Sequence, residues 1–176
     1  MPLTAQLQAV INATDIATAT TPDVGSLTPA THSLATQKVL DLAAGTGAGA
    51  VDVLYQDTNT LAASGNIDID LSGALARAIG GTAVFARVRG IYIAAAAGNT
   101  NNVVVGAAAT NQWITFLGTT TGTIILRPGA WILAGVGSAD TTGWAVTAGT
   151  GDLLRMTNSG AGTTVDYTIV IVGASA

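Results

Sequence analysis

Few residues in this chain are of a type that could do chemistry. The one histidine, His32, lies in a Thr-rich stretch just after Pro29, with Ser33 beside it. Acid–base catalysis needs a group that titrates near neutrality, but an adjacent serine does not make a triad and no Gly-x-Ser-x-Gly elbow occurs. A solvated loop histidine is expected. Asp68 and Asp70 stand two apart in Asn66-Ile-Asp-Ile-Asp-Leu71. Paired acids can hydrolyse a glycosidic bond or bind a cation, with Asp57 and Asn66 as further oxygen donors. The simpler expectation is the solvent face of an alternating strand. Gly45-Thr-Gly-Ala-Gly49 has the glycine density of a phosphate loop, but no Lys-Ser/Thr follows and the next run reads as a strand, so a hairpin turn is expected. Trp113, Trp131 and Trp144 would form a sugar-binding platform only if exposed together, and burial is the default. With no cysteine, thiol nucleophiles, thiolate metal sites and disulfides are excluded. No catalytic residue, metal or cofactor is expected.

The elements that must position these residues are constrained by composition. Of 176 residues only 9% are charged, against about 25% in an ordinary soluble domain. All acids are Asp, and Lys38 is the only lysine. The residues that clothe surface helices are therefore missing, which excludes an extended helical protein or coiled coil. Hydrophobic residues make up 49% and mean hydropathy is +0.52, which excludes disorder. A net charge of −4 with scattered basic residues excludes a nucleic-acid partner, which needs a basic stripe. The most apolar stretch, 124–136, is broken by Arg127-Pro128-Gly129 and falls short of the ~20 residues of a membrane helix; no membrane partner is expected. The first residues carry no positive charge and no long apolar run, so no signal peptide is expected.

From Leu34 onward short apolar runs alternate with Gly, Asn, Asp and Thr. Residues 66–71 alternate strictly, with Ile67, Ile69 and Leu71 on one face and Asp68 and Asp70 on the other. In 84–93, Val84, Ala86, Val88 and Gly90 share one face and Phe85, Arg87, Arg89 and Ile91 the other. Further strands are expected at 51–57, 103–105, 113–117, 124–126, 131–134, 144–147, 153–157 and 165–172, and one brief helix at 71–79. Roughly ten short strands without helical crossovers predict an all-β fold, an antiparallel β-sandwich, jelly-roll-like, with an N-terminal arm.

The arm is residues 1–30 and the sandwich domain 31–176. Leu3, Leu7, Val10 and Ile11 have helical spacing over three turns, after which Thr, Ala, Pro22 and Pro29 dominate. A short helix and an extended arm both fit, and neither buries those side chains unaided. The arm is expected to dock on its own protomer or on a neighbour. Thr and Ala also dominate the intended solvent faces, so apolar surface is expected to be covered by other chains. Arg87 and Arg89 would be exposed on a monomer, or paired across chains with Asp68, Asp70 or Asp152. The candidate oligomer or partner contacts are thus Leu3, Leu7, Val10, Ile11, Arg87 and Arg89.

Thr60-Leu-Ala-Ala-Ser64, Gly98-Asn-Thr-Asn-Asn-Val-Val-Val-Gly106, Leu126-Arg-Pro-Gly129, Gly143-Trp-Ala-Val-Thr-Ala-Gly-Thr-Gly-Asp-Leu-Leu154, Asn158-Ser-Gly-Ala-Gly162 and Tyr167-Thr-Ile-Val-Ile-Val-Gly-Ala-Ser-Ala176 together resemble small structural proteins of tailed bacteriophages and prophages. The resemblance covers about residues 57–176 and rests on turn and strand patterns. It implies a non-enzymatic virion component on the outer surface of the capsid, a homotrimer that decorates or cements the shell by binding the major capsid protein. Two other classes are weighed. A tail fibre or receptor-binding domain recognising host surface glycan would show an exposed aromatic platform. A polysaccharide-cleaving enzyme would need acids clustered at a cleft.

Overall fold

The computed structural model describes residues 2–17 and 30–176. In chain order the strands are β1 (Ala5–Ala17), β2 (Ala30–Ala44), β3 (Ala50–Val51), β4 (Val53–Leu61), β5 (Asn66–Asp70), β6 (Leu75–Ala76), β7 (Thr82–Ala83), β8 (Arg87–Ala95) and β9 (Val103–Gly106). After the helical turn α1 (Ile114–Leu117) come β10 (Thr123–Leu126), β11 (Trp131–Gly135), β12 (Trp144–Ala145), β13 (Leu153–Asn158) and β14 (Val165–Ala174). Two antiparallel sheets form the body. Sheet one is ordered β11-β8-β14-β4, with β12 also on β8, and sheet two β10-β9-β13-β5. The pairs β4·β14, β5·β13, β8·β11 and β9·β10 are nested in sequence. Such nesting is a long antiparallel ribbon folded over on itself, the eight-strand jelly roll.

Period-2 patterning drives the two sheets together. Sheet one turns Val53, Tyr55, Ile91, Ile93, Tyr167, Ile169 and Ile171 inward, and sheet two answers with Ile69, Val103, Val105, Leu126, Leu154 and Met156. In β5, Ile69 is buried while Asp68 and Asp70 face solvent, as the alternation predicts. In β8 the alternation breaks. Val172 pairs with Gly90 but Gly173 pairs with Val88, so Arg89 is an extra residue in a β-bulge. Val88 and Ile91, expected on opposite faces, are both buried in the core. An added Cβ at Gly173 would collide with the Arg87 carbonyl oxygen, so this close approach needs glycine.

Three local expectations are corrected. Residues 71–79 form turns on either side of β6, the first strand of the β6·β7 hairpin, not a helix. Residues 113–117, expected as a strand, hold α1, capped by Gly118 at φ 81. A helical turn brings residues three apart onto one side, and Trp113 stacks on Phe116 with ring centroids 5.6 Å apart, which a strand would forbid. The 45–49 loop is no hairpin turn, because β2 and β3 run parallel through Ala43/Ala50 and Ala44/Val51. The Ala43 amide donates to Gly49 O and the Gly45 amide to Val51 O, so the loop doubles back and the chain resumes its direction.

The N-terminal segment is a strand, not a helix. β1 pairs antiparallel with β2 from Ala5/Leu42 to Ala17/Ala30, so one long hairpin carries across residue 30. Its root lies on the outer face of sheet one, where Leu3, Ala5, Leu7 and Leu40 pack with buried Leu42, Val51 and Val172. Gly90 and Gly135 are directly paired across β8 and β11 and make a notch for it. An added Cβ on Gly90 would stand 2.5 Å from Leu7 Cδ2, and one on Gly135 would stand 2.8 Å from Leu40 Cδ2. Beyond the root, residues 8–14 and 33–39 are all exposed.

Candidate functional site

The six expected contact residues separate into three groups. Leu3 and Leu7 are half-buried against their own body. Val10 and Ile11 project on the hairpin, 51% and 61% exposed, with Leu34 at 52% on the paired strand. Arg87 and Arg89 instead serve their own chain. Arg87 is half-buried and its Nη1 donates to Thr141 O at 2.9 Å.

Arg89 is corrected outright: it is 0% exposed. The bulge sends its guanidinium between two loops. Nη1 donates to Asp140 O at 2.5 Å, and Nη2 to Gly47 O and Thr141 O at 3.2 Å each. The Asp140 carboxylate lies 3.8 Å away. Burial, and then the nearby Arg87 charge, lower the Arg89 pKa, while Asp140 opposes the shift. Asp140 itself is held below its ordinary value by the amides of Gly143 and Thr142 and the Thr142 hydroxyl. A buried cation needs such partners. Arg89 thus ties the 45–49 loop at the hairpin's root to the 137–143 loop.

Of the acids, Asp70 and Asp152 meet on the Ser72 hydroxyl, while Asp68 and Asp57 have other partners. Asp68 receives a bidentate pair from Arg155, with Nε and Nη2 at 2.7 Å each, from the residue directly opposite it in β13. That contact raises the Arg155 pKa. Asp70 accepts from the Ser72 and Gly73 amides and closes a turn. Asp152 accepts from Ser72 Oγ and the Gly149 amide. Asp57 is on sheet one, where it accepts the Tyr55 hydroxyl at 3.2 Å. Burial, and then Asp57, raise the Tyr55 pKa, and the same causes push Tyr167 up to about 12. Among the described residues no three His, Cys, Asp or Glu side chains come together as a metal site. The His32 side chain lies outside the described residues.

The tryptophans are divided as well. Trp113 is buried on Phe116, whose ring meets Trp144 edge-on at 5.0 Å. Trp131 is 59% exposed on the outer face of sheet one, 6.3 Å from the Tyr92 ring. These two rings belong to a feature that sequence reasoning missed, an open groove of about 480 Å³ between β1 and sheet one. Gln6 and Leu7 form one wall, and Tyr92, Leu133, Val170 and Trp131 supply the floor and rim. Leu133, Tyr92 and Val170 are in direct cross-strand register, an apolar row on a face that would carry polar residues if it met water. That was the available signal: 90–94 in β8 and 169–172 in β14 are apolar at outward as well as inward positions.

Comparisons with protein-family models, with curated proteins and with solved structures find no match. Among the described residues no helix is long and apolar enough to cross a membrane. The arrangement offers contact surfaces: a projecting hairpin with apolar side chains and an apolar groove at its root.

Proposed function

We propose that this protein is a non-enzymatic structural component of a tailed-phage virion. In this reading a jelly-roll body sits on the outer surface of the capsid as a homotrimer and decorates or cements the shell by binding the major capsid protein. The observation that carries it is the projecting half of the β1·β2 hairpin, with Val10, Ile11 and Leu34 uncovered. A lone two-stranded hairpin is marginal in water, so this one serves by lying against another surface. The turn and strand patterns across residues 57–176 supply the class of assembly in which that surface lies. Many identical weak contacts on a symmetric shell add up to firm attachment.

The test is a reconstruction of the intact particle, together with binding of purified protein to undecorated shells. Density for the jelly roll on the head, lost with Ile11→Asp, supports the reading. Density on the tail overturns it in favour of a receptor-binding domain. The exposed Trp131 beside Tyr92 is the observation that favours that second reading, and glycan binding abolished by Trp131→Ala would establish it.

A further inference from the structure

Strand register decides which face of the hairpin meets the body. Leu7 and Leu40 are directly opposed, and their face continues through the pairs Ala9/Lys38, Ile11/Thr36 and Ala13/Leu34, because alternate residues share a face. At Leu7 and Leu40 this face fills the Gly90/Gly135 notch. From Ala9 outward the same face is bare, although Ile11 and Leu34 are as apolar as the two leucines. One continuous face therefore runs from covered to uncovered, and the surface that covers it at the root is the outer face of sheet one.

A vacant stretch of that outer face is the groove floored by Tyr92, Leu133 and Val170 and rimmed by Trp131. It runs beside β1, which is the end strand of its sheet, and among the described strands none pairs with its outer edge. A strand laid there would gain backbone hydrogen bonds as well as apolar cover. We infer that this groove is the seat of the projecting hairpin of a second copy of this chain, so that copies are linked by donated hairpins.

Dimensions agree. The nine pairs from Ala9/Lys38 to Ala17/Ala30 extend about 30 Å, against roughly 15 Å across a four-stranded sheet, so the hairpin reaches past one body onto the next. One ribbon face about 10 Å wide, with the surface it covers, removes on the order of 600–1,000 Å² from water. That is below a standard specific interface and in the range of weak, transient contacts. One seat is weak, whereas a closed ring in which each chain gives one hairpin and receives one is held at every joint. The inference rests on the homotrimer of the proposed function and supplies its joint.

The chain contains no cysteine, so introduced thiols report contacts without background. Full-length Ile11→Cys and Trp131→Cys are prepared separately, both at exposed positions, then mixed and oxidised. The expected result is a disulfide-linked dimer in the mixture and in neither variant alone. In parallel, Leu133→Asp should weaken self-association in sedimentation at least tenfold, while Ile67→Asp, on the other sheet, should not. Wild-type protein that sediments as a monomer at micromolar concentration overturns the inference. So does cross-linking in Ile11→Cys alone, which would mean that hairpins pair with one another. Binding to undecorated shells separates the two readings: monomers that bind shells overturn only the donated hairpin, and a hairpin-linked oligomer that ignores shells overturns only the capsid role.

Discussion

Leu7 on β1 and Gly90 on β8 fit as knob and hole: the leucine Cδ2 occupies the place where a side chain on residue 90 would begin, 2.5 Å from an ideal Cβ. This contact, with Leu40 over Gly135, fastens the hairpin to a body that has its own core. The two clusters meet only across the outer face of sheet one, so the root should be alterable without dismantling the sandwich.

Gly90→Ala should loosen the hairpin root and destabilise the protein by about 1–3 kcal/mol, the usual cost of overpacking. Leu7→Ala should cost a similar amount by leaving a void. In the double variant the added methyl enters the space vacated by the leucine, so the loss should fall well below the sum. Denaturant unfolding of the four proteins measures the coupling.

Arg89→Met should free the 45–49 and 137–143 loops by removing the donors to Gly47 O, Asp140 O and Thr141 O. Loss of a buried, multiply bonded group costs about 2–4 kcal/mol. Limited proteolysis should find new cleavage in both loops. Arg89→Lys should not restore them, because one ammonium cannot reproduce the planar fork.

Alkaline pH should destabilise the fold through Tyr55 and Tyr167. Their folded pKa values are raised above the ordinary value near 10, so the folded state holds these protons longer than the unfolded chain does. The stability they contribute is complete below about pH 10 and is lost as pH climbs toward about 12, by about 1.4 kcal/mol per pH unit for each tyrosine. Unfolding curves across this range, followed by tyrosinate absorbance, should show the decline. The Tyr167 hydroxyl is buried without a hydrogen-bond partner, so Tyr167→Phe should be neutral or stabilising below pH 10 and should soften the alkaline loss.

Asp68→Asn should cost less than about 1 kcal/mol, since its pair with Arg155 is partly exposed and such pairs are worth little. Asp70→Asn should weaken the Ser72–Gly73 turn by a comparable amount. Shell binding by the double variant, and by wild-type protein in the presence of a chelator, should be unchanged.

What the sequence by itself determined is the fold class and the sidedness of most strands. Without glutamate, and with one lysine, long surface helices have no residues to build on, and a period of two at 66–70 or 153–158 leaves one packing solution per strand. The exposed aspartates of β5 and the inward row of β14 follow from that local rule. Tertiary structure alone decided the rest. The bulge at Arg89 arises from the pairing of β8 with Val172 and Gly173 of β14, far along the chain, and it converts an expected surface cation into a buried clamp. Residues 113–117 read as a strand from their own pattern, and the stacking of Trp113 on Phe116 with the Ala145 carbonyl that receives the Trp113 indole N–H decides for a helical turn. Residues 1–12 read equally well as helix or extended arm, because Leu3, Leu7, Val10 and Ile11 satisfy a helical period. Their partner, residues 33–42, decides for the strand, since backbone hydrogen bonds to a second segment are invisible in the first segment's own pattern. The groove lies at the meeting of β1, β8, β11 and β14, four segments spread over the whole chain, and it exists only once the hairpin has folded back onto the sheet.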